Sequence, residues 1–338
     1  MTLTELGWND AFAAAFDPWR SKAHVHPGRV AIEFNQIFRV YVEDGELDAV
    51  TAGRLKHRAR GRAELPAVGD WVAVRKRPEE DRGVIMAVLP RRSAFTRRAA
   101  GEVTGEQVVA ANVDVVFVVM GLDRDYNVRR LERYLVMARE SGASPVILLT
   151  KPDLSADLAA HLREVTSLAG DILVHVVNPK RGEGLEQLQG DLGAGTTATL
   201  LGSSGVGKST IINRLLGADV LRTREVRASD SRGRHTTTHR ELVVLPGGGL
   251  VIDTPGMREL QLWDASESVR ETFDEIEALA PACHFTDCRH RDEPRCAVKA
   301  AVAEGKIAAG RLENYLKVQE ELAALARQQE ERARKTRR

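Results

Sequence analysis

The sequence predicts an α/β domain with a parallel sheet, preceded by a small β-barrel and followed by a helical segment with a metal site. Three observations support this fold class. Between about residue 112 and Gly256, apolar runs of strand length alternate with helical patterns. Residues 28–95 contain several short stretches of strand-like character. The last part of the chain has three closely spaced cysteines and ends in a charged helical pattern.

The predicted barrel rests on three strand-like stretches. "RVAIEFNQIFRVYVED" alternates apolar and polar residues, and "GDWVAVRKR" and "GVIMAVLPR" follow after Gly/Pro turns. About five short strands in a basic stretch of about seventy residues suit a small closed barrel, of which the OB-fold is the natural candidate. An SH3-like barrel would show much the same pattern. We expect residues 28–97 to form an RNA-binding OB barrel, after a leader of residues 1–27.

The α/β domain, placed at residues 98–263, follows from the alternation of elements. "VDVVFVVM" and "SPVILLT" are continuous apolar runs, as expected for strands buried on both faces. Helical patterns lie in "NVRRLERYLVMARES" and in "SADLAAHLREVTSLAG", where Ser155 is the candidate N-cap. Strand "DILVHVV", helix "GLEQLQGDL", strand "TATLLG" and a helix from Lys208 follow. Residues 264–338 are predicted to form a zinc-binding domain with a closing helix at about 306–335.

A glycine-rich stretch, "GSSGVGKST", joins the apolar strand "TATLLG" to the helix and fits the phosphate-loop pattern G-x-x-x-x-G-K-[ST]. Glycines let the backbone wrap phosphates and direct N–H groups at them, and the helix N-terminus adds partial positive charge. Lys208 can neutralise the β- and γ-phosphates, and the Ser209 hydroxyl can coordinate Mg²⁺. The pattern therefore predicts a nucleotide site.

Two further stretches fit the γ-phosphate side of such a site. Asp253-Thr254-Pro255-Gly256 matches D-x-x-G at the end of a buried strand. Asp253 would hold Mg²⁺ through water, and the Gly256 amide would sense the γ-phosphate. The polar stretch "SRGRHTTTHREL", residues 231–242, suits a mobile loop with a threonine that reaches Mg²⁺. The candidates are Thr237, which we prefer, then Thr236 and Thr238.

The stretch "VILLTKPDL" has the features of a guanine-reading loop. Asp153 could accept hydrogen bonds from guanine N1–H and the 2-amino group, which adenine cannot match, and the Lys151 stem could pack over the base. The next strand ends at Asn178-Pro179, where a second base-contacting loop is expected. Because base-reading loops precede the phosphate loop, the order is that of a circularly permuted P-loop GTPase domain. The predicted GTP-binding residues are Thr150, Lys151, Pro152, Asp153, Gly202, Ser203, Ser204, Gly205, Val206, Gly207, Lys208, Ser209, Thr210, Asp253 and Gly256.

With these motifs in this order, the chain resembles the RsgA (YjeQ) family of circularly permuted GTPases that depend on the small ribosomal subunit. "GSSGVGKST", "GRHTTTHREL", "DTPG" and the cysteine cluster match the family pattern, and the match covers nearly the whole chain. The resemblance implies GTP hydrolysis stimulated by the 30S ribosomal subunit, a role in its late maturation, and binding to 16S rRNA. Two positions depart from the family. Thr150 stands where Asn is usual, and Asn178-Pro179 replaces a more usual Ser-Ala.

The group that orients the attacking water is not obvious. Many GTPases place a Gln after D-x-x-G, whereas this chain has Met257. We therefore expect slow intrinsic turnover, with the orienting group supplied elsewhere. By the family's pattern His235 is the candidate and His239 the alternative, so His235 and Thr237 are the predicted catalytic residues. Because the segment after Gly256 leads directly into the C-terminal domain, the γ-phosphate could move that domain as a lever.

The cysteine cluster "CHFTDCRHRDEPRC" has a Cys-x₄-Cys-x-His-x₅-Cys spacing. Three thiolates and one imidazole satisfy tetrahedral Zn²⁺ with no open position, which predicts a structural site. His284 also lies in the cluster but directly follows a cysteine, so His290 is preferred. The predicted zinc ligands are Cys283, Cys288, His290 and Cys296, and the predicted Mg²⁺ ligands are Ser209 and Thr237.

The composition of the chain argues against a membrane protein and against a secreted one. The chain has 338 residues and a formal net charge of +1, and no apolar run approaches the about 20 residues that span a bilayer. The N-terminus lacks the basic segment of a signal peptide. We expect a cytoplasmic monomer without a membrane partner. Residues 54–98 hold thirteen Lys/Arg against five Asp/Glu, and the last twelve residues hold six against two. These zones indicate a polyanionic partner or, more simply, solvated basic faces.

Two other functions fit parts of the sequence. A zinc-and-barrel RNA-binding module could have a nucleotide domain that binds GTP without hydrolysing it, although the intact Lys208, Ser209 and Asp253 disfavour this interpretation. A P-loop ATPase is disfavoured by Lys151 and Asp153. Assays with GTP and with ATP distinguish a GTPase from an ATPase. Measuring turnover as well as binding distinguishes a GTPase from a module that only binds GTP.

Overall fold

The computed structural model describes residues 1–43, 45–77, 82–98, 106–217, 240–253 and 266–336. These residues form two compact units. The first unit contains Met1–Tyr126 and Ser141–Leu260, and the second contains Asn127–Glu140 and Gln261–Arg338. The barrel and the parallel sheet both lie in the first unit.

The barrel is built from five strands that close on themselves. The strands are β1 (Val25–Phe34), β2 (Ile37–Val42), β3 (Gly45–Thr51), β4 (Trp71–Lys76) and β5 (Arg82–Val88). Neighbouring strands pair in the order β1-β2-β3-β5-β4 and back to β1, and only the β3–β5 pair is parallel. This is the strand order of an OB-fold, so the sequence-based prediction is confirmed. Alternate residues of these strands, among them Val30, Val40 and Ile85, fill the barrel core.

The predicted leader contains a helix, α1 (Asp10–Arg20). The Asn9 side chain caps it by accepting a hydrogen bond from the Phe12 amide at 3.2 Å. Phe12 is buried, and its ring lies 5.8 Å from that of Trp71 on β4. The aromatic contacts attach this segment to the outside of the barrel. A second helix, α2 (Gly53–Arg58), follows β3.

A buried arginine connects three parts of the first unit. Arg29 on β1 is almost wholly buried and donates hydrogen bonds to the carbonyls of Leu6, Gly69 and Asn112. Desolvation lowers the pKa of this guanidinium to about 10. Its charge is therefore held by backbone carbonyls, from the N-terminal segment, the barrel and the entry to the sheet.

The sheet of the first unit follows a short hairpin of β6 (Ala94–Arg98) and β7 (Glu106–Ala111). Its strands are β8 (Val115–Gly121), β9 (Ser144–Thr150), β10 (Val174–Val177), β11 (Thr197–Gly202), β12 (Glu241–Val244) and β13 (Leu250–Asp253). They pair in the order β10-β9-β8-β11-β13-β12, and all described pairs are parallel except β12–β13. The predicted parallel sheet is confirmed. β12 also pairs with β1, so barrel and sheet are continuous.

The helix after β8 is α3 (Val128–Glu140), which groups with the second unit. The helices of the first unit's sheet are α4 (Leu158–Ala169), α5 (Leu185–Asp191) and α6 (Lys208–Leu215). The prediction that Ser155 caps α4 is wrong. The cap is Asp157, whose carboxylate accepts a hydrogen bond from the Ala160 amide at 2.9 Å. Ser155 ends the preceding 3₁₀ turn, and its side chain hydrogen-bonds His161 instead. The N-cap of the helix therefore lies two residues later than predicted.

The second unit is helical in its described part. Besides α3 it contains α7 (Ser266–Thr272), α8 (Asp274–Leu279), α9 (Ala297–Ala303) and α10 (Ala309–Thr336). Buried charge joins α3 to α10, since Arg311 contacts the carboxylates of Glu132 and Glu275 and Asn314 also contacts Glu132. Phe273 and Tyr315 form an edge-to-face pair with ring centroids 5.5 Å apart. These contacts give the unit its own core.

Candidate nucleotide and metal sites

The two predicted nucleotide loops lie at the same edge of the sheet. β9 ends at Thr150 and β11 ends at Gly202, and both strands pair in parallel with β8, which lies between them. Carboxyl ends of parallel neighbours meet at one edge, where doubly wound sheets bind their ligands. The chain order of the loops therefore does not affect their proximity.

The phosphate loop has the backbone that close approach to an anion requires. Gly205 and Gly207 have φ of 72° and 110°, in the region that favours glycine, and α6 begins at Lys208. A Cβ on Gly202 would lie 2.5 Å from the Val119 carbonyl oxygen of β8. Glycine is thus required by backbone angle at two positions and by strand packing at a third.

The phosphate-loop side chains are placed for a polyanionic ligand. Lys208 Nζ donates hydrogen bonds to the carbonyls of Gly202 and Ser203, at 2.8 and 2.6 Å, so the ammonium lies against the loop. Ser209 is exposed in the first turn of α6. Val206 anchors the loop because its side chain is buried in the sheet core. The loop therefore has the backbone and the charge to surround a polyanionic ligand, with the exposed Ser209 hydroxyl at the start of the helix.

A hydrogen bond joins the base-reading loop to the phosphate loop. Thr150 is buried, and its hydroxyl donates to the Val206 carbonyl at 2.8 Å. The next residue, Lys151, has a left-handed backbone with φ of 59°. A 3₁₀ turn, Pro152–Leu154, follows and contains Asp153. The threonine that replaces the family's usual asparagine therefore makes a specific contact.

Asp153 is held by the loop after β10. The Asn178 side-chain amide donates to Asp153 Oδ1 at 3.0 Å, and Asn178 is itself buried. Arg214 of α6 donates to the carbonyls of Pro179 and Lys180, at 3.0 and 2.9 Å. The Asn178-Pro179 loop thus contacts both the base-reading carboxylate and the helix of the phosphate loop.

Other predicted nucleotide residues are only partly covered by the structure. Asp253 is the last residue of β13, beside β11, and is partly buried. The D-x-x-G glycine and the residues predicted for the γ-phosphate side lie outside the described residues. These are Gly256, Met257, His235, His239, Thr236, Thr237 and Thr238.

The three cysteines and His290 come together in the second unit. The Cys283 and Cys296 sulfurs are 3.8 Å apart, and His290 Nδ1 lies 3.6, 3.5 and 3.4 Å from the sulfurs of Cys283, Cys288 and Cys296. A tetrahedral Zn²⁺ with its usual bond lengths separates two sulfurs by about 3.8 Å and sulfur from nitrogen by about 3.5 Å. All four ligand atoms lie within 4.8 Å of one another, and the separations given above are close to those of a tetrahedral Zn²⁺ site.

The surroundings of the cluster act on its ligands in different directions. Desolvation raises the pKa of the Cys288 thiol to about 11, so in the metal-free cluster this ligand is held as a thiol. Desolvation lowers the pKa of His290, which keeps the imidazole neutral, the form that binds metal. Cys296 precedes α9, and its sulfur accepts a hydrogen bond from the Lys299 amide at 3.4 Å. His284 is not part of the four-residue group, which agrees with the preference for His290.

Comparison with known proteins identifies the family. Residues 88–263 match the profile of the RsgA GTPase family. A protein of Opitutus terrae named small ribosomal subunit biogenesis GTPase RsgA is 52% identical, and the alignment covers 97% of this chain and 91% of that protein. The chain belongs to the RsgA GTPase family. A relative of the same name from Syntrophotalea carbinolica is 44% identical, with 98% and 92% of the two chains covered.

Two solved structures agree with the fold. The crystal structure of YjeQ from Thermotoga maritima is 30% identical, with a TM-score of 0.66, and the match covers 88% of this chain and 99% of that one. YloQ, described as a circularly permuted GTPase, matches with a TM-score of 0.64 over 90% and 97% of the chains, at 23% identity. The predicted permuted GTPase fold and GTP hydrolysis are confirmed.

The structure also places residues at the RsgA site that sequence reasoning missed. Asp123 lies in the loop after β8, and its carboxylate is 2.6 Å from Lys151 Nζ. Asp125, two residues later, accepts a hydrogen bond from the Ser203 hydroxyl of the phosphate loop. Polar residues directly after a buried parallel strand were the available signal, since that is where such sheets bind ligands.

Proposed function

We propose that this GTPase is stimulated by the small ribosomal subunit and acts in late maturation of that subunit. The observation that best supports GTP binding in this proposal is the Thr150–Val206 hydrogen bond, because it connects the base-reading loop to the phosphate loop at one edge of the sheet. The proposed action on the small ribosomal subunit is supported by relatives that are named small ribosomal subunit biogenesis GTPases. We also propose that the protein works as a cytoplasmic monomer. In the described part of the chain, every helix is too short or too polar to cross a bilayer.

In this proposal, guanine is recognised by residues 150–153. The Asp153 carboxylate accepts the two guanine donors, and Asn178 keeps that carboxylate oriented. An adenine nucleotide would leave the carboxylate without these hydrogen-bond partners, so the site should bind guanine nucleotides much more tightly than adenine nucleotides. Residues 202–210 surround the phosphates with backbone amides, and Lys208 exchanges its loop carbonyls for phosphate oxygens.

Hydrolysis is assigned to the γ-phosphate side of the site. Bound Mg²⁺, held by Ser209, Thr237 and through water by Asp253, would neutralise charge on the transferred phosphate. His235 orients the attacking water in this proposal, because Met257 cannot. A water-orienting histidine in a loop is placed correctly only when that loop is ordered, which gives a bound ribosomal subunit a way to stimulate turnover.

The barrel carries the features of an RNA-binding surface. Phe34, Ile37 and Val50 are exposed by 52%, 47% and 43%, and each faces the next across neighbouring strands β1, β2 and β3. Exposed cations of α2 lie beside this row, since Lys56 hydrogen-bonds Gln36 in the β1–β2 turn at 2.8 Å. The exposed Phe34 ring can stack on a base, and its aliphatic neighbours and the nearby cations extend a surface that suits rRNA.

The first test is steady-state GTP hydrolysis with and without purified 30S subunits. We expect strong stimulation by 30S subunits, none by 50S subunits, and no ATP turnover. A Lys208→Ala variant controls for contaminating hydrolases, because it should lose turnover in every condition. Equal slow turnover with and without 30S subunits would refute the stimulated mechanism. A GTPase whose turnover does not depend on the small ribosomal subunit would then be the better account.

The RNA-binding surface is tested by sedimentation with 30S subunits. We expect Phe34→Ala combined with Lys56→Glu to weaken association while intrinsic GTP turnover is unchanged, because both residues lie on the barrel. Leu173→Ala removes a similarly exposed apolar side chain from the sheet domain and is the matched control. Equal association of both variants with 30S subunits would contradict the proposed surface.

A further inference from the structure

Lys151 of the base-reading loop is fixed at both its backbone and its ammonium. Its φ of 59° and ψ of 47° are left-handed, a conformation that costs a non-glycine residue about 1 kcal/mol. Its Nζ lies 2.6 Å from Asp123 Oδ2, and both side chains are about three-quarters buried, with exposures of 26% and 23%. A lysine head group is usually mobile and strongly hydrated, so this restraint needs a cause.

Asp123 is itself held in place by its own loop. The Leu122 amide donates to the Thr150 carbonyl at 2.8 Å, which pins the Asp123 loop to the base-reading loop. Asp123 Oδ1 accepts from the Asp125 amide at 3.2 Å, and the Tyr126 amide donates to the Asp123 carbonyl at 2.9 Å. The carboxylate is therefore ordered before any ligand binds.

Gly121 leaves the space that this carboxylate occupies. A Cβ at Gly121 would lie 2.8 Å from Asp123 Oδ1. Gly121 is not among the glycines with positive φ, so its backbone does not require glycine. The absence of a side chain at this position lets the Asp123 carboxylate fold back toward the sheet edge.

The charges at this pair favour a lasting contact. The hydrogen bond from Lys151 lowers the pKa of the Asp123 carboxyl below its ordinary value, so the group is ionised at neutral pH. A short hydrogen bond between two charged groups is about twice as strong as a neutral one. Partial burial of both groups reduces its screening by salt.

We propose that Asp123 is a positioning residue for guanine-nucleotide binding, which holds the Lys151 ammonium so that its apolar stem lies along the base. The inference rests on the proposed nucleotide site, because it needs Lys151 to contact the nucleotide. Asp123 itself does not touch the nucleotide in this assignment. It lowers the entropy that Lys151 would otherwise lose on binding.

The test is a double-mutant cycle of Asp123→Asn and Lys151→Met, measured by titration of the full-length protein with a fluorescent GDP analogue. We expect Asp123→Asn to weaken GDP binding about tenfold, the loss of one charge-assisted hydrogen bond. Lys151→Met keeps an apolar stem but has no ammonium for Asp123 to hold. In that background Asp123→Asn should therefore have no further effect.

Two further measurements distinguish a positioning role of Asp123 from a general structural role. The KM for GTP should rise with Asp123→Asn, while kcat stays within about twofold, since the base is remote from the reacting phosphate. Asp191→Asn is the matched control, because Asp191 pairs with His175 at 2.9 Å at similar burial in the same unit. It should leave GDP affinity unchanged.

The possible failures are distinguishable. If the two substitutions weaken binding additively, or if Asp123→Asn lowers kcat as much as it raises KM, Asp123 acts through general structure and the inference is wrong. If Lys151→Met weakens GDP binding and Asp123→Asn does not, the inference alone fails. If Lys151→Met has no effect on GDP binding, the ammonium does not contribute to affinity and the inference fails. The proposed base-reading role fails as well only if Asp153→Asn also leaves GDP binding unchanged.

Discussion

Removal of the Thr150 hydroxyl is the most direct perturbation of the contact between the two nucleotide loops. Thr150→Val preserves the shape of the side chain but cannot donate to the Val206 carbonyl 2.8 Å away. Thr150 is only 1% exposed, so water cannot easily replace the lost donor. The second acceptor near the hydroxyl, the Met120 carbonyl at 3.4 Å, is at the long end of hydrogen-bond distances. The substitution therefore removes essentially one buried hydrogen bond.

The expected magnitude is set by that one bond. Leaving a buried carbonyl without a donor costs about 1–3 kcal/mol. In the variant, the phosphate loop and the base-reading loop lose their direct side-chain link, and the nucleotide must supply the order that the bond supplied. We expect the GDP dissociation constant to rise about 5- to 30-fold, which corresponds to about 1–2 kcal/mol.

The assay is fluorescence titration with a GDP analogue, alongside thermal unfolding. Thr199→Val is a matched control, because Thr199 is equally buried and its hydroxyl donates to the Ile252 carbonyl at 3.0 Å, within the sheet. It should lower the unfolding temperature similarly but leave GDP affinity nearly unchanged. Thr150→Ser keeps the donor and should retain most of the affinity. Wild-type affinity in Thr150→Val, or an equal loss in Thr199→Val, would refute the reasoning.

Three further outcomes are expected from the packing. Gly202→Ala should lower stability by about 2 kcal/mol in thermal unfolding, because its Cβ would meet the Val119 carbonyl at 2.5 Å; an unchanged unfolding temperature would contradict this packing. Cys288→Ser should reduce the zinc content measured by atomic emission and expose the second unit to protease, whereas retained stoichiometric zinc would exclude Cys288 as a ligand. Glu132→Gln should destabilise the second unit by about 3 kcal/mol in protease-resistance measurements, since it leaves the buried Arg311 charge poorly paired; a loss below about 1 kcal/mol would show that Glu275 suffices.

Hydrophobic pattern was sufficient to predict the buried strands of the barrel and of the sheet, but not helix α1 of the predicted leader or the β6–β7 hairpin. Continuous apolar runs such as 115–121 have no polar face, so only a strand buried on both sides accommodates them. The alternating barrel strands likewise have one face that must be buried. Local capping was less predictable. Ser155 and Asp157 are both good caps, and the choice between them depends on the Ser155–His161 hydrogen bond, which joins residues six positions apart.

Candidate residues could be named from the sequence where one motif determines one backbone, as in the phosphate loop and the cysteine–histidine cluster. Contacts between residues distant in sequence could not. Asp123 and Lys151 are 28 residues apart, and Asp153 and Asn178 are 25 apart. No local pattern links such pairs, because their contact is produced by the parallel pairing of β8, β9 and β10. These contacts can be predicted only once the order of the strands in the sheet is known.

The same topology explains how a permuted chain can retain a GTPase site. The site requires that β9, β8, β11 and β13 end at one edge, and their parallel pairing ensures this whatever order the chain visits them in. Permutation instead changes the segment to which the end of each strand is connected. The chain passes into the second unit after Tyr126, five residues beyond the end of β8, and again after Leu260, seven residues beyond β13. Both passages start from the nucleotide edge, one from the loop that holds Asp123 and one from D-x-x-G. Changes at the base and at the γ-phosphate would therefore each have a short covalent connection to the second unit.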